Sequence, residues 1–551
     1  MKKGFTLIEL LAVIVILAII AVISTPIIIG VIDNAKRSSY LDSAHGILDA
    51  ANKMIMSAEL NGTLANNYQI DLTTSTLNYS GKKPTSGTLL IDRIQNVSFT
   101  LKYDTYCIEK KFDESVPTIK DKTDCTIDSS EVTSSLLYKE RILNGTDPII
   151  SGDLIPVIIS SDGSVKKSSV NDNYYSYSDK KWANAVILLD KGISYAVGDT
   201  IPEANIESYF VWIPRYRYQL FNTSNTASTG YLSKEQTINI VFENKNTIAS
   251  TGTIDGAWLT HPAFTSFNSN GMWVGKYETG YKGATSTATA QVDSSDSTKV
   301  IVKPNTYSWR SITVNNAYLA SYNYNRTLDS HMMKNTEWGA VAYLSYSAYG
   351  INGNIRINNN SSYLTGYAKT EEPTCGYTSP MSTCNAWGTA SNLTQPYNTE
   401  TGYLASTTGN ISGVYDMSGG AWEFVAGLLF NVDTPYYGSS GMSSLPASKY
   451  YDKYTVSNYS GRLLGDATGE MGPFGTWSFA GVAYSDGVTP TSGSRTISSW
   501  NQDDAYFITS GYPWFVRGGN YYYGSGAGVF VFGSGAGGVV SSFSFRLVLA
   551  P

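Results

Sequence analysis

The sequence predicts an α+β protein: a long N-terminal helix with a small β-sheet domain, then a large mixed α/β domain with much irregular structure. Three observations carry this. The chain opens "MKKGFTLIELLAVIVILAIIAVISTPIIIGVIDNAKRSS", with no charge between Glu9 and Asp33. Short strand-like runs such as "TLLIDRI", "VSFTLKY" and "TYCIEKKF" follow. All 11 Trp lie in the part of the chain from Trp182 onward, which marks a second module with an aromatic core. The 551 residues are too many for one core.

The first helix is long enough to cross a bilayer, with Lys2 and Lys3 on the side that stays inside. Beyond Asp33, Leu41, Ala44, Leu48, Ala51, Ile55 and Ala58 recur at steps of three and four and form one apolar stripe. Asn61-Gly62 is a stop signal. Pro26 and Gly30 sit where the helix can bend. The stretch "RILNGTDPIISGDLIPV" reads as a connector, and 141–205 as a connector or a separate β-rich stalk. Strand runs "SYFVWIPRYRYQLF" and "GMWVGKYE" come next, then two helical segments. "SITVNNAYLASYNYN" is weakly patterned; "NTEWGAVAYLSYSAYG" has Asn335 as an N-cap and Gly350 as a stop.

Composition narrows function. The net charge of −6 and only 15% charged residues exclude a basic stripe that tracks nucleic-acid phosphates. With 41 Tyr and 50 Gly beside abundant Ser and Asn, the chain has the alphabet of a binding surface: rigid rings between small adaptable residues. Cys107 and Cys125, and Cys375 and Cys384, are two local pairs. They read as two loop-closing disulfides outside the cell, or as four free thiols in a reducing compartment, and not as a zinc site. His45, His261 and His331 have no Ser or Cys partner at a recognisable spacing and read as solvated or capping residues. The acid pairs of "TEEP" (370–373) and "NQDDAY" (501–506) leave structural calcium open, with no ligands named; no cofactor is otherwise expected.

"KKGFTLIELL" resembles the class III signal of type IV pilins and pseudopilins. The resemblance covers roughly residues 1–60. It implies cleavage by prepilin peptidase between Gly4 and Phe5, so that 1–4 is a leader peptide. Phe5 then becomes the N-methylated first residue, 5–32 the transmembrane and filament-core helix, and 33–140 the remaining pilin-like helix and globular domain. A carboxylate buried in a filament needs a cation, and the Phe5 ammonium of a neighbouring subunit would meet Glu9. Other pilin subunits are therefore implied partners, with the cytoplasmic membrane as the precursor's location and the cell surface as the final one.

"GVYDMSGGAWEFVAG" (413–427), "FVRGGNYYYGSG" (515–526) and "SSFSFRLVLAP" (541–551), in that order, resemble the formylglycine-generating-enzyme type of C-type-lectin fold. This implies such a domain over 206–551, with Trp422, Arg517 and Arg546 in structural roles. That family's oxidases need a cysteine pair just after "RGG", where this chain has "GGNYYYGSGAGVF". Neither Tyr nor Gly replaces a thiolate, so no enzyme activity is expected.

The C-terminal segment 514–551 also resembles the variable region of diversity-generating retroelement proteins. "KNTEWGAVAYLS" is similar to segments of the same surface proteins. The resemblance implies a set of ligand-facing, diversified positions drawn from Asn520, Tyr522, Tyr523, Gly526, Val531, Ser534, Ala536, Val539, Val540, Phe543 and Ser544. Gly518, Gly519, Gly528, Phe530, Phe545 and Arg546 are then framework. The combined expectation is a minor, tip-located pilin that presents a lectin-like adhesin domain to an extracellular macromolecule. Two alternatives stand beside it: a secreted enzyme on the same fold, and a structural pseudopilin of a secretion or DNA-uptake system.

Overall fold

The computed structural model describes residues 6–60, 69–73, 77–91, 97–104, 106–111, 116–121, 146–170, 174–219, 237–245, 258–370, 394–455, 465–467, 478–479, 482–483, 507–523 and 527–551. The chain divides into two compact units, Met1–Leu143 and Asn144–Pro551.

In the first unit, α1 (Leu7–Leu60) runs through Pro26 and Gly30 as one helix of 54 residues, about 80 Å at the usual rise. Its start is a capping box. The Thr6 backbone N–H and hydroxyl both donate to Glu9 Oε2, at 2.9 and 2.8 Å. The apolar side chains of the first half stand in the open, Leu7 at 84% and Val22 at 72% exposure. The second half buries a stripe of Tyr40, Ala44, Ile47, Ala51 and Ile55. It is rotated slightly from the predicted one: Leu41 and Leu48 fall on its flanks, and the side chain of Ala58 lies outside the described residues. This face packs on an antiparallel meander of β1 (Gln69–Asp71), β2 (Ser86–Ile91), β3 (Val97–Lys102), β4 (Tyr106–Lys110) and β5 (Thr118–Asp121). Tyr40 stacks on Tyr103 at 4.5 Å, and the Tyr106 hydroxyl donates to Asp33. Cys107 on β4 is buried and disulfide-bonded; Cys125, Cys375 and Cys384 lie outside the described residues.

The second unit holds two larger sheets. The strands that build them are β6 (Ile155–Ile159), β7 (Val165–Lys167), β8 (Asn184–Leu188), β9 (Ile206–Pro214), β10 (Gly271–Gly275), β11 (His331–Met332), β12 (Trp422–Asn431), β13 (Thr434–Pro435), β14 (Asp452–Thr455), β15 (Trp514–Arg517), β16 (Phe532–Gly535), β17 (Phe543–Phe545) and β18 (Leu547–Leu549). The first sheet is antiparallel, in the order β11-β18-β10-β9-β8-β6-β7. Its central strand β9 reads as a nearly unbroken apolar run because both faces are covered. The expected stalk over 141–205 is corrected here. β6, β7 and β8 belong to this sheet and share its core, so the division falls at 143/144 and not at 205.

The second sheet is centred on β12. It pairs antiparallel with β13 and β15 and parallel with β14 and β17, and β16 extends it beyond β15. Among the described residues two α-helices accompany the sheets: α2 (Val314–Tyr322), capped by the Thr313 hydroxyl, and α3 (Asn335–Ser345). Every residue of α3 is buried. The N-cap of α3 is Lys334 and not Asn335. The N–H groups there are met by one carboxylate of the helix itself and one from elsewhere. Glu337 accepts from the Lys334 N–H at 2.8 Å, and Asp452 of β14 accepts from the Thr336 N–H at 2.7 Å. Asn335 instead donates to the Tyr454 hydroxyl at 2.7 Å.

Candidate functional site

The glycine doublets of "SGGAWE" and "RGGN" form one interlocked frame. Gly419 N–H donates to the Gly518 carbonyl at 2.8 Å, and Tyr521 N–H to the Gly420 carbonyl at 2.9 Å. All four glycines have φ between +72° and +81°. A Cβ on Gly519 would lie 2.6 Å from Ala527 Cβ, and one on Gly420 2.3 Å from Glu278 Oε1. Only glycine meets both demands.

Two buried arginines brace this frame. The chain leaves the β12 sheet at Phe545 and enters the β10 sheet at Leu547, with Arg546 between them. Its guanidinium makes a bidentate pair with Glu423 of β12 (2.9 and 2.5 Å) and donates to the Gly275 carbonyl of β10 at 2.9 Å. It therefore staples the two sheets. Arg517 donates to the Asp466 carbonyl at 2.7 Å. Both guanidiniums lie 5.9 Å from the ring of Trp338, whose indole N–H donates to the Val529 carbonyl at 2.7 Å. Behind Glu423 sit Asp416 and Glu278, also fully buried. Desolvation pushes Glu423 up to about 7 against the pull of Arg546, and pushes Asp416 and Glu278 up as well. None of the three lines the cleft described next.

On this frame lies a cleft of about 400 Å³. Five of the predicted ligand residues meet there: Asn520, Tyr522, Tyr523, Ser534 and Phe543. The sequence placed Trp422 in the core, but its ring also walls the cleft, edge-on to Tyr523 at 5.5 Å. Tyr512, Val516, Phe532, Gly533 and Ser542 complete the lining. No sequence signal distinguished these from framework residues. Val539 and Val540 stand exposed nearby in sequence, and Ala536 is half-buried. Gly526 lies outside the described residues.

Two predicted ligand positions are corrected. Val531 is fully buried in an apolar run whose Phe530 packs edge-on against Tyr346 at 4.8 Å. Ser544 is fully buried because strand alternation puts Phe543 on the cleft face and Ser544 on the opposite one. Asn520 is also buried, at 1% exposure, but it remains in the cleft lining.

Residues far upstream fix the cleft's two sides. Arg310 donates to the Ser541 carbonyl, holding the loop that leads to Ser542 and Phe543. Its guanidinium lies 3.8 Å from the centroid of the Tyr363 ring. Tyr363, in a left-handed conformation at φ +56°, lies beside the Asn520 side chain and packs edge-on to Tyr521 at 4.7 Å.

Of the three histidines expected to be solvated or capping, His45 and His261 are so placed and His331 is not. His45 is exposed. His261 and His331 are fully buried and not solvated. His261 caps a short turn through the Ala263 N–H at 3.3 Å, and burial pushes its pKa down to about 3. His331 bridges the Asp329 carbonyl and Glu337 and stacks on Phe267 at 4.7 Å. Among the described residues no three His, Cys, Asp or Glu side chains gather as a metal site. The carboxylates of 371–372 and 503–504 lie outside them.

At the other end of the sequence, α1 is long and apolar enough to cross a membrane. Residues 1–25 match the family model described as the prokaryotic N-terminal methylation motif. This is a type IV pilin-like N-terminus. Such an N-terminus implies prepilin peptidase processing and other pilin subunits as partners, and it is compatible with a membrane precursor and a surface pilus. No curated protein matches the chain.

Proposed function

We propose that the chain is a minor, tip-located type IV pilin whose large unit is a lectin-like, non-enzymatic adhesin domain diversified by a retroelement. Prepilin peptidase cuts between Gly4 and Phe5, and the methylated Phe5 and Glu9 join neighbouring subunits. Gly4 and Phe5 themselves lie outside the described residues. The domain binds an extracellular macromolecule and needs no cofactor. One observation carries the reading: five residues expected to contact ligand converge on one cleft, above a frame of buried arginines and of glycines held at positive φ. Side chains on such a surface can vary without unfolding the scaffold.

The test has two arms. Immunogold labelling of the native filament should mark tips; labelling along the whole shaft would sink the tip assignment. The surrounding DNA should hold a reverse-transcriptase gene and a near-copy of the last coding segment that differs at template adenines. Without them the chain is an undiversified adhesin.

A further inference from the structure

The cleft's lining narrows the chemistry of what enters it, on the reading above that it is the binding face. Six rings surround it: Trp422, Tyr512, Tyr522, Tyr523, Phe532 and Phe543. Among the described residues no Asp, Glu, Lys or Arg lines it. The polar side chains, Tyr hydroxyls and the Trp422 indole N–H aside, are Asn520, Ser534 and Ser542. Asn520 is buried, and its Oδ1 has no partner among the described residues. A buried carbonyl oxygen without a donor is costly, and a ligand that supplies one is favoured.

We infer that the cleft receives one aromatic side chain bearing an O–H or N–H donor, a tyrosine or tryptophan, presented by a protein partner. Its ring lies among the six rings in edge-on and offset contacts, and its donor meets Asn520 Oδ1. A carboxylate or phosphate would lose its water with no opposite charge to replace it. A pyranose would bring several hydroxyls into a wall that is mostly ring, leaving most of them unpaired. About 400 Å³ is at the small end of ligand pockets, which suits one anchoring side chain. The surroundings are apolar too: Tyr512 is 56% exposed, and Val539 (54%) and Val540 (38%) flank the turn that leads to Ser542 and Phe543. An apolar ring around one aromatic anchor is the anatomy of a protein–protein hot spot.

The test uses the full chain in nanodiscs and ligand-observed saturation-transfer NMR. The probes are N-acetyl-tyrosinamide, N-acetyl-tryptophanamide, N-acetyl-phenylalaninamide and methyl glucoside. The tyrosine and tryptophan amides should bind several-fold better than the phenylalanine amide. Asn520→Ala should erase that preference, and Ser534→Trp, which fills the cleft from a partly exposed position, should abolish binding of all three. Methyl glucoside binding that Ser534→Trp abolishes, with no such signal from the amides, overturns the ligand class. So does the absence of any signal that Ser534→Trp removes. Adherence of piliated cells, measured on the same variant, separates the two ideas. Loss of adherence without amide binding leaves the cleft as the binding face and sinks the aromatic anchor. Amide binding with adherence intact does the reverse.

Discussion

Gly519 shows how one missing side chain decides local structure. Its φ of +77° is strained for any other residue, and the space where a Cβ would go is filled by Ala527. Gly519→Ala should therefore destabilise the second unit by about 2 kcal/mol or more, since strain and overpacking add. A urea melt that moved by less than about 0.5 kcal/mol would contradict the interlocked frame. Gly518 and Gly519 were legible as framework through the resemblance; Gly419 and Gly420 were not singled out. That the two doublets hold each other was not legible, because they are far apart in the chain. Val531 and Ser544 teach the same lesson from the other side. Both belong to the alphabet of a binding surface, yet packing put them inside.

At the scale of elements, the turn between β12 and β13 carries an unfavourable residue. Val432 has φ +59° and is 63% exposed. A β-branched residue gains nothing there. Val432→Gly should raise the stability of the second unit by about 1 kcal/mol, read as a rise in melting temperature; a fall would show that the Val side chain makes a contact that matters. In α1 the two halves should respond oppositely to truncation. Ile47→Ala removes a fully buried side chain between helix and sheet and should cost about 2–5 kcal/mol of the first unit's stability. Val22→Ala, on the open face, should leave that melt unchanged in detergent. The periodicity of α1 gave its core face to within one residue. For α3 the predicted N-cap was one residue late, and Asp452, from another part of the chain, adds a cap that no local rule shows.

Across the whole second unit, buried ionisable groups set opposing pH dependences. Glu423 is raised to about 7 and Asp452 to about 6, both by desolvation. Each keeps its proton longer in the folded chain than in the unfolded one. Their contributions are therefore full below the ordinary carboxylate range and are lost as pH rises through those values. His261, held down to about 3, has the opposite sign: its contribution is full above about 6.5 and is lost as pH falls toward 3. The carboxyl contributions to the melting temperature should thus fall as pH rises from about 4.5 through 7, and Glu423→Gln, although less stable overall, should make that fall smaller, with Glu278 and Asp416, also raised by burial, supplying the rest. Relative to His261→Asn, the native chain should lose stability steadily from pH 6.5 down to 4. An identical slope in both proteins would show that His261 is protonated in the folded state.

The sequence by itself determined the N-terminal processing motif, the membrane-length helix with its one packed face, the α+β class and the glycine and arginine framework. These follow from local rules: apolar length, helical period, backbone freedom and fixed charge. Only the tertiary structure decided which of the Tyr, Ser, Val and Asn residues of 514–551 line a cleft. It alone joined residues 144–205 to the main sheet, and it alone recruited Arg310 and Tyr363 to hold the cleft's two sides. The reason is physical. A strand's alternation and a loop's anchorage depend on neighbours hundreds of residues away, and composition carries no record of them.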